Sequence, residues 1–282
     1  MQGAAPVQRP SWDWRPNPDL RGRVALVTGA GRGIGRSLAL ALGTMGARVA
    51  GCALEEDQLG ETERLLRERP GANEAGEPRT FFQRCDITDE DALSRFVAGT
   101  IAALGVPDVV VANAGVTDPD HRRIVDLPLP VWERIIRVNL TGTFLTLKHV
   151  LPPMMSRGSG NVIVITSLLG QRGYGKANDG PYCASKFGVE GLVEVAAAEC
   201  SPYGVNINTL FPAAKVNTGF FARLPLRERE SLEPPSVIDE PALFLASLPP
   251  GSLTGEAING KVWREDVNYR RKLFERLQRT TT

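Results

Sequence analysis

Three side chains in the second half of the chain carry the groups needed to move a proton on or off an oxygen. Tyr182 and Lys186 stand at i and i+4 in "GPYCASKFG", so on a helix they share a face. A free tyrosine titrates near ~10 and is a weak base at neutral pH, and a neighbouring ammonium favours its phenolate. Tyr182 could then take a proton from an alcohol or return one to a ketone. Ser167 closes the β-rich run "NVIVITS" and could donate a hydrogen bond to the same oxygen, steadying the charge that develops there. Tyr174 is a competing phenol, but its i+4 residue is Asn178, so Tyr182 is the expected acid/base. A lone Tyr-x-x-x-Lys pair is common on exposed helices, and its weight depends on its company.

That company includes "TGAGRGIG", residues 28–35, between an apolar strand and a helix. Gly29 permits a tight turn, and Gly33 and Gly35 let backbone or cofactor approach closely. The helix start after Arg32, at Gly33 and Ile34, offers free N–H groups and a partial positive charge to a pyrophosphate. Strand, turn and helix in this order predict a dinucleotide site. Binders of the unphosphorylated cofactor usually carry an acid at the end of the second strand. Here that position is Ala53, and Glu55 and Glu56 come slightly later. Arg32 could pair with a 2′-phosphate. The expected cofactor is therefore NADP(H) in preference to NAD(H). Lys186 could also hold the cofactor ribose, and an oxidised nicotinamide ring would further favour a Tyr182 phenolate.

The elements that must position these groups alternate. Short apolar runs predict parallel strands at 23–29, 47–53, 80–86, 107–115, 161–167 and 204–212, with a last one in "EAIN". Between them the periodicity predicts helices after the glycine turn, over 55–69, over 90–105, as one long helix over 130–156, over 181–201 and around 239–248. Such alternation implies an α/β, doubly wound parallel sheet of Rossmann type, three layers thick, in a single domain over 20–262. Residues 1–19 read as a Pro-rich N-terminal extension, with Trp12 and Trp14 packing on the surface, and 263–282 as a basic C-terminal extension. Gly29, Asn113, Ser167 and Pro212 all fall at strand carboxyl ends, where ligands of such sheets bind.

The totals narrow the field. The 282 residues are 42% hydrophobic and carry a net charge of +1, which suits one large globular domain and gives no sign of a nucleic-acid partner. Four cysteines, with no C-x-x-C pair, read as reduced thiols of a cytoplasmic protein. Two histidines, His121 and His149, far apart and without a cysteine cluster, argue against a metal site. No apolar run approaches the ~18 residues of a membrane span, and the start of the chain lacks signal-peptide character.

The residues quoted above, with Asp86, Asn113-Ala114-Gly115, Asn139 in "VNLTG", and Asn208 and Pro212 in "YGVNINTLFP", resemble the short-chain dehydrogenase/reductase family over about 20–260. The resemblance implies a nicotinamide cofactor, Tyr182 as acid/base, Ser167 positioning the substrate, and Lys186 on the ribose. It implies that Asn139 supports a water-mediated proton relay. Asp86, followed by Ile87, would lie near the adenine amino group, and Asn113 to Gly115 beside the adenosine ribose. Asp86 could equally cap the following helix. The implied partner is a small secondary alcohol or ketone, free or carrier-bound, and the implied assembly a homo-oligomer, a tetramer by family.

Departures from the pattern qualify this. Fourteen residues separate Ser167 from Tyr182, about two more than the family pattern, and the additional length lies in the Gly-rich loop. Ala213 replaces the usual glycine after Pro212, where a positive φ would be strained. Thr218, one residue late, is the expected carboxamide contact. Phe220 and Phe221 could form an apolar lid or belong to the core. The tail "REDVNYRRKLFERLQRTTT" has a partial apolar stripe at Val267, Leu273, Phe274 and Leu277 and could pack on a neighbouring subunit or fray. The expected function is NAD(P)(H)-dependent hydride transfer at a secondary alcohol/ketone. The alternatives are a 3-oxoacyl-acyl-carrier-protein reductase, with Arg134 and Arg137 meeting an acidic carrier or a subunit interface, and a non-catalytic cofactor sensor or scaffold.

Overall fold

The computed structural model describes residues 18–68 and 80–280, so the readings of Trp12 and Trp14 lie outside the described residues. Seven strands form one parallel sheet: β1 (Val24–Thr28), β2 (Arg48–Ala53), β3 (Thr80–Arg84), β4 (Val109–Ala112), β5 (Gly160–Ile165), β6 (Val205–Phe211) and β7 (Ala257–Asn259). Their order across the sheet is β3-β2-β1-β4-β5-β6-β7. The chain starts at the centre, winds outward to β3, then returns to β4 and winds the other way. The reversal falls between β1 and β4, which pair Ala25 with Val109 and Val27 with Val111. Crevices for ligands open at such a switch point, beyond the strand carboxyl ends.

The strands are apolar throughout because both faces are covered. Ala25 and Val27 of β1 belong to one core cluster, and Val24 and Leu26 to another on the opposite face. The helices are α1 (Gly33–Thr44), α2 (Glu56–Arg67), α3 (Glu90–Leu104), α4 (Leu129–Ile136), α5 (Gly142–Arg157), α6 (Gly180–Cys200), α7 (Leu226–Glu230), α8 (Asp239–Ala246), α9 (Gly260–Glu265) and α10 (Val267–Thr280). The first core takes α1, α8 and α10, and the second takes α3, α5 and α6.

Two elements differ from the sequence expectation. The single helix expected over 130–156 is α4 and α5 joined by a π-helical turn, Arg137–Thr141, which carries Asn139. The apolar phase shifts by one residue across this turn, and the reading of one continuous helix passed over that shift. Much of the C-terminal stripe packs on the chain's own core. On α10, Leu273 is buried, and Tyr269, Phe274 and Leu277 pack on the first core. The Phe274 ring lies 5.5 Å from Phe244, which is itself 4.8 Å from the fully buried Trp263. Val267 stays half exposed.

Candidate active site

The glycine turn is built by exclusion. Gly29 has φ +66°, and a Cβ there would stand 2.9 Å from Ala114 Cα. A Cβ on Gly35 would stand 2.1 Å from the Gly29 carbonyl oxygen, so α1 seats directly on the turn. Thr28 and Asn113 lock β1 to β4 at this point. The backbone N–H groups of Asn113 and Ala114 donate to Thr28 Oγ1 at 3.0 and 3.2 Å, and Asn113 Nδ2 donates to the Thr28 carbonyl at 3.0 Å. Arg36, which the sequence reading passed over, clamps the turn: its guanidinium donates to the Gly31 carbonyl (3.0 Å from Nε) and to the Gln58 carbonyl (3.1 Å). Thr62 Oγ1, fully buried, donates to the Ala30 carbonyl at 3.0 Å. Nothing local in the sequence marks Arg36 or Thr62, because each bridges the glycine turn and α2, some twenty to thirty residues apart.

Arg32 caps the start of α1 and is exposed. Its guanidinium lies over Gly219, where an added Cβ would meet Arg32 Cζ at 2.7 Å, and it makes no hydrogen bond or ion pair among the described residues. Ala53 borders the same turn: a Cβ on Gly31 would be 3.4 Å from Ala53 Cβ and 3.1 Å from Gln58 Cβ. Thr218 closes over the turn from the β6 side, its Cγ2 3.2 Å from where a Gly33 Cβ would lie. Ile34 packs on the first core, and Ile87 is buried, lying where a Gly142 Cβ would meet its Cδ1 at 2.5 Å. Pro212 follows β6 close to Gly260. Asp86 does not cap α3. Its Oδ1 accepts from the Thr88 N–H and hydroxyl at 2.9 and 2.8 Å, and Asp89 is the cap, accepting from the Ala92 N–H at 3.0 Å.

Asn139 is fully buried and satisfied. Its Oδ1 accepts from the Val116 N–H (2.8 Å), and its Nδ2 donates to the Val116 carbonyl and Ser185 Oγ, both at 2.9 Å. Ser185 Oγ donates to the Tyr182 carbonyl at 2.8 Å, so Asn139 reaches the tyrosine's helix turn through one hydroxyl. Gly115 lies between Asn139 and Lys186: a Cβ there would be 3.3 Å from Asn139 Oδ1 and 3.7 Å from Lys186 Nζ.

The structure brings Ser167, Tyr182 and Lys186 together despite the longer loop. Burial pushes Tyr182 up to about 12, partly offset by a hydrogen bond from Ser167. Lys186 is almost fully buried, and burial pulls it down to about 8, with Glu190 acting the other way. Its Nζ donates to the Ile165 carbonyl (2.9 Å) and lies 5.9 Å from the centre of the Tyr182 ring. This corrects one expectation: in this state loss of solvent outweighs the bond from Ser167, and the phenol lies above its ordinary value rather than below it. The Gly-rich loop is anchored by Asp179, whose buried carboxylate takes His121 Nδ1 at 2.8 Å and Lys176 Nζ at 2.9 Å. Phe220 sets its ring edge-on to Tyr182 at 5.9 Å, so it is a wall of the site and not core. Ala213 does adopt a positive φ, +51°. Arg134 and Arg137 donate to the Thr117 and Thr88 carbonyls, at the rim of the crevice.

A parallel sheet with this switch point, this turn and this triad define a hydride-transferring enzyme of the dinucleotide-binding type. The family model described as short chain dehydrogenase matches residues 23–228, and the chain belongs to that family. It is 36% identical over 193 residues to secoisolariciresinol dehydrogenase of Forsythia intermedia, covering 68% of this chain and 66% of that one. It is 35% identical over 234 residues to cis-4-hydroxycyclohexanecarboxylate dehydrogenase of Sinomonas cyclohexanicum, covering 80% and 89%. The solved carveol dehydrogenase of Mycobacterium avium in complex with NAD superposes with a TM-score of 0.76 at 26% identity, over 86% of this chain and 96% of that one. The protein is a nicotinamide-dependent oxidoreductase acting on alcohol and carbonyl groups. Among the described residues no helix is long and apolar enough to cross a membrane, and no cluster of ligands could hold a metal ion.

Proposed function

We propose that the enzyme interconverts a secondary alcohol on a small ring and the corresponding ketone, using NADP(H), with Tyr182 as the proton carrier. The observation that carries this is the juxtaposition of Tyr182 with the Ser167 hydroxyl and the buried Lys186 amine. When bound, the nicotinamide supplies or accepts the hydride and, oxidised, adds positive charge to the pocket. Gly29 to Gly35 would hold the pyrophosphate against the start of α1, and the close approaches at Gly29 and Gly35 leave that turn no other side chain. Lys186 would hold the ribose, Asn113 to Gly115 and Asp86 the adenosine, and Thr218 the carboxamide.

Tyr182, neutral at rest, donates its proton to the ketone oxygen during reduction and retakes it during oxidation. Ser167 holds that oxygen by a hydrogen bond that strengthens as charge grows there. Asn139 keeps the Tyr182 turn in place through Ser185. Phe220 beside Tyr182 provides an apolar wall, and the relatives named for hydroxycyclohexanecarboxylate and carveol support a ring substrate. The guanidinium of Arg32, unpaired among the described residues, and the absence of an acid at Ala53 support the phosphorylated cofactor. Exposed Phe144, Phe187 and Val195 on α5 and α6 support a homo-oligomer.

Tyr182→Phe tests the reading. The variant is expected to bind NADPH, by nicotinamide fluorescence, as tightly as the parent and more tightly than NADH. Reduction of a panel of cyclic ketones is expected to fall at least ~100-fold. Full turnover by the variant would refute the role of Tyr182, and tighter NADH binding by the parent would refute the role of Arg32.

A further inference from the structure

A half-buried carboxylate that takes no part in the proton transfer lies one helical turn beyond Lys186 on α6. Glu190 Oε2 accepts from Thr209 Oγ1 on β6 at 2.9 Å, and its Oε1 accepts from Gln171 Nε2 at 2.8 Å, in the loop that starts at Ser167. Thr166, the residue before Ser167, is among the groups that act on the carboxylate. Gly170 of that loop rests on the lysine, where a Cβ would stand 2.9 Å from Lys186 Cβ. One side chain thus ties together the helix of Tyr182 and Lys186, the strand β6 and the Ser167 loop.

We propose that Glu190 is a positioning residue of the active site: its carboxylate keeps Lys186 in the ammonium form beneath Tyr182 and fixes the loop that presents Ser167. The inference rests on the reading of Tyr182, Lys186 and Ser167 given above. Opposite charges in a site with little water favour each other's ionised forms. Burial opposes both charges. It holds Glu190 above the usual carboxylate range, with Thr166, Thr209 and Lys186 pulling it back, and holds Lys186 below the usual range, with Glu190 pulling it back. Glu194, one turn further on, is the other charge that acts on Glu190. The groups presented to the carboxylate by β6 and the Ser167 loop are the neutral Thr166, Thr209 and Gln171, and the π-helical turn presents the neutral Asn139 to Ser185. Asp179 and Cys183 act on Tyr182, and Glu190 is not among the groups that do.

The test reads Lys186 directly. In the full-length protein carrying 13Cε-labelled lysine, the Lys186 resonance is assigned by its loss in Lys186→Met, then titrated by NMR. Glu190→Gln keeps the shape of the side chain and removes its charge. The Lys186 midpoint is expected to fall by about one unit, while the melting temperature, a readout of structure alone, changes little. Glu190→Asp keeps the charge and is expected to leave the midpoint within about half a unit of the parent. An unchanged midpoint in Glu190→Gln, or an equal fall in both variants, would overturn the proposal. Should Glu190→Gln not fold, Glu190→Ala takes its place in the same titration: a fall of about one unit would support the proposal, and an unchanged midpoint would overturn it. The titration needs no substrate, so its failure is separate from a failure of the Tyr182 reading, which the Tyr182→Phe kinetics judge.

Discussion

Replacing Lys186 by methionine should abolish the proposed proton transfer and yet stabilise the fold at neutral pH. The lysine is almost fully buried, and its ordinary value of 10.5 is drawn down to about 8. Between those values the unfolded chain binds a proton that the folded chain does not, so stability rises with pH from about 8 to 10.5. Below about pH 8 the ammonium is carried at full cost, roughly 3 kcal/mol at ~1.4 kcal/mol per unit. By about pH 10 the folded chain holds a neutral amine, and the residual cost is about 1 kcal/mol. Methionine removes this cost but leaves the Ile165 carbonyl without its donor, a loss of about 1 kcal/mol that does not depend on pH. The net gain is about 2 kcal/mol near pH 7 and close to zero near pH 10. Urea unfolding of parent and variant at the two pH values measures it, since effects common to both proteins cancel. A difference that stays the same from pH 7 to pH 10 would show that Lys186 is not desolvated, and the account of the site's electrostatics would fall with it.

Two further outcomes follow from the geometry. Ala213 sits at φ +51°, so Ala213→Gly should raise stability by up to about 1 kcal/mol, read as a rise of a few degrees in melting temperature. Asn139→Ala removes the partner of the Val116 N–H and of Ser185 Oγ inside the fold, and should cost about 2–3 kcal/mol in denaturant unfolding.

The parts of the molecule that were legible in the sequence are those whose cause is local. Strands buried on both faces write themselves as unbroken apolar runs, and the glycine turn is required by contacts between adjacent elements. Tyr182 and Lys186 share a face because they are four apart on one helix. Ala213 could be marked as strained because the family it resembles has a glycine there. What escaped notice depends on distant partners. Arg36 matters because the carbonyls of Gly31 and Gln58 converge on it, and Glu190 because Thr209 and Gln171 do. The state of Tyr182 was misjudged because counting charges along a helix says nothing of how much water the fold removes. Asp86 and Asp89 are both good capping residues, and only the backbone path decides between them.

The π-helical turn at Arg137–Thr141 sets a limit on how this chain can change length. A ring with one additional residue rotates everything beyond it by about 100° relative to an unbroken α-helix. The apolar sides of α4 and α5 are written for that rotation. α5 carries Val150 and Met154 into the second core, whereas Ile135 is the buried residue of α4. Thr143 seals the widened ring by donating to the Asn139 carbonyl at 2.7 Å. Point substitutions along this stretch disturb single contacts. Loss of one residue within it would instead put the two halves out of phase, turning buried side chains of one toward solvent and withdrawing Asn139 from Val116. The stretch therefore behaves as a fixed-length spacer between the wall of the crevice and the core behind it.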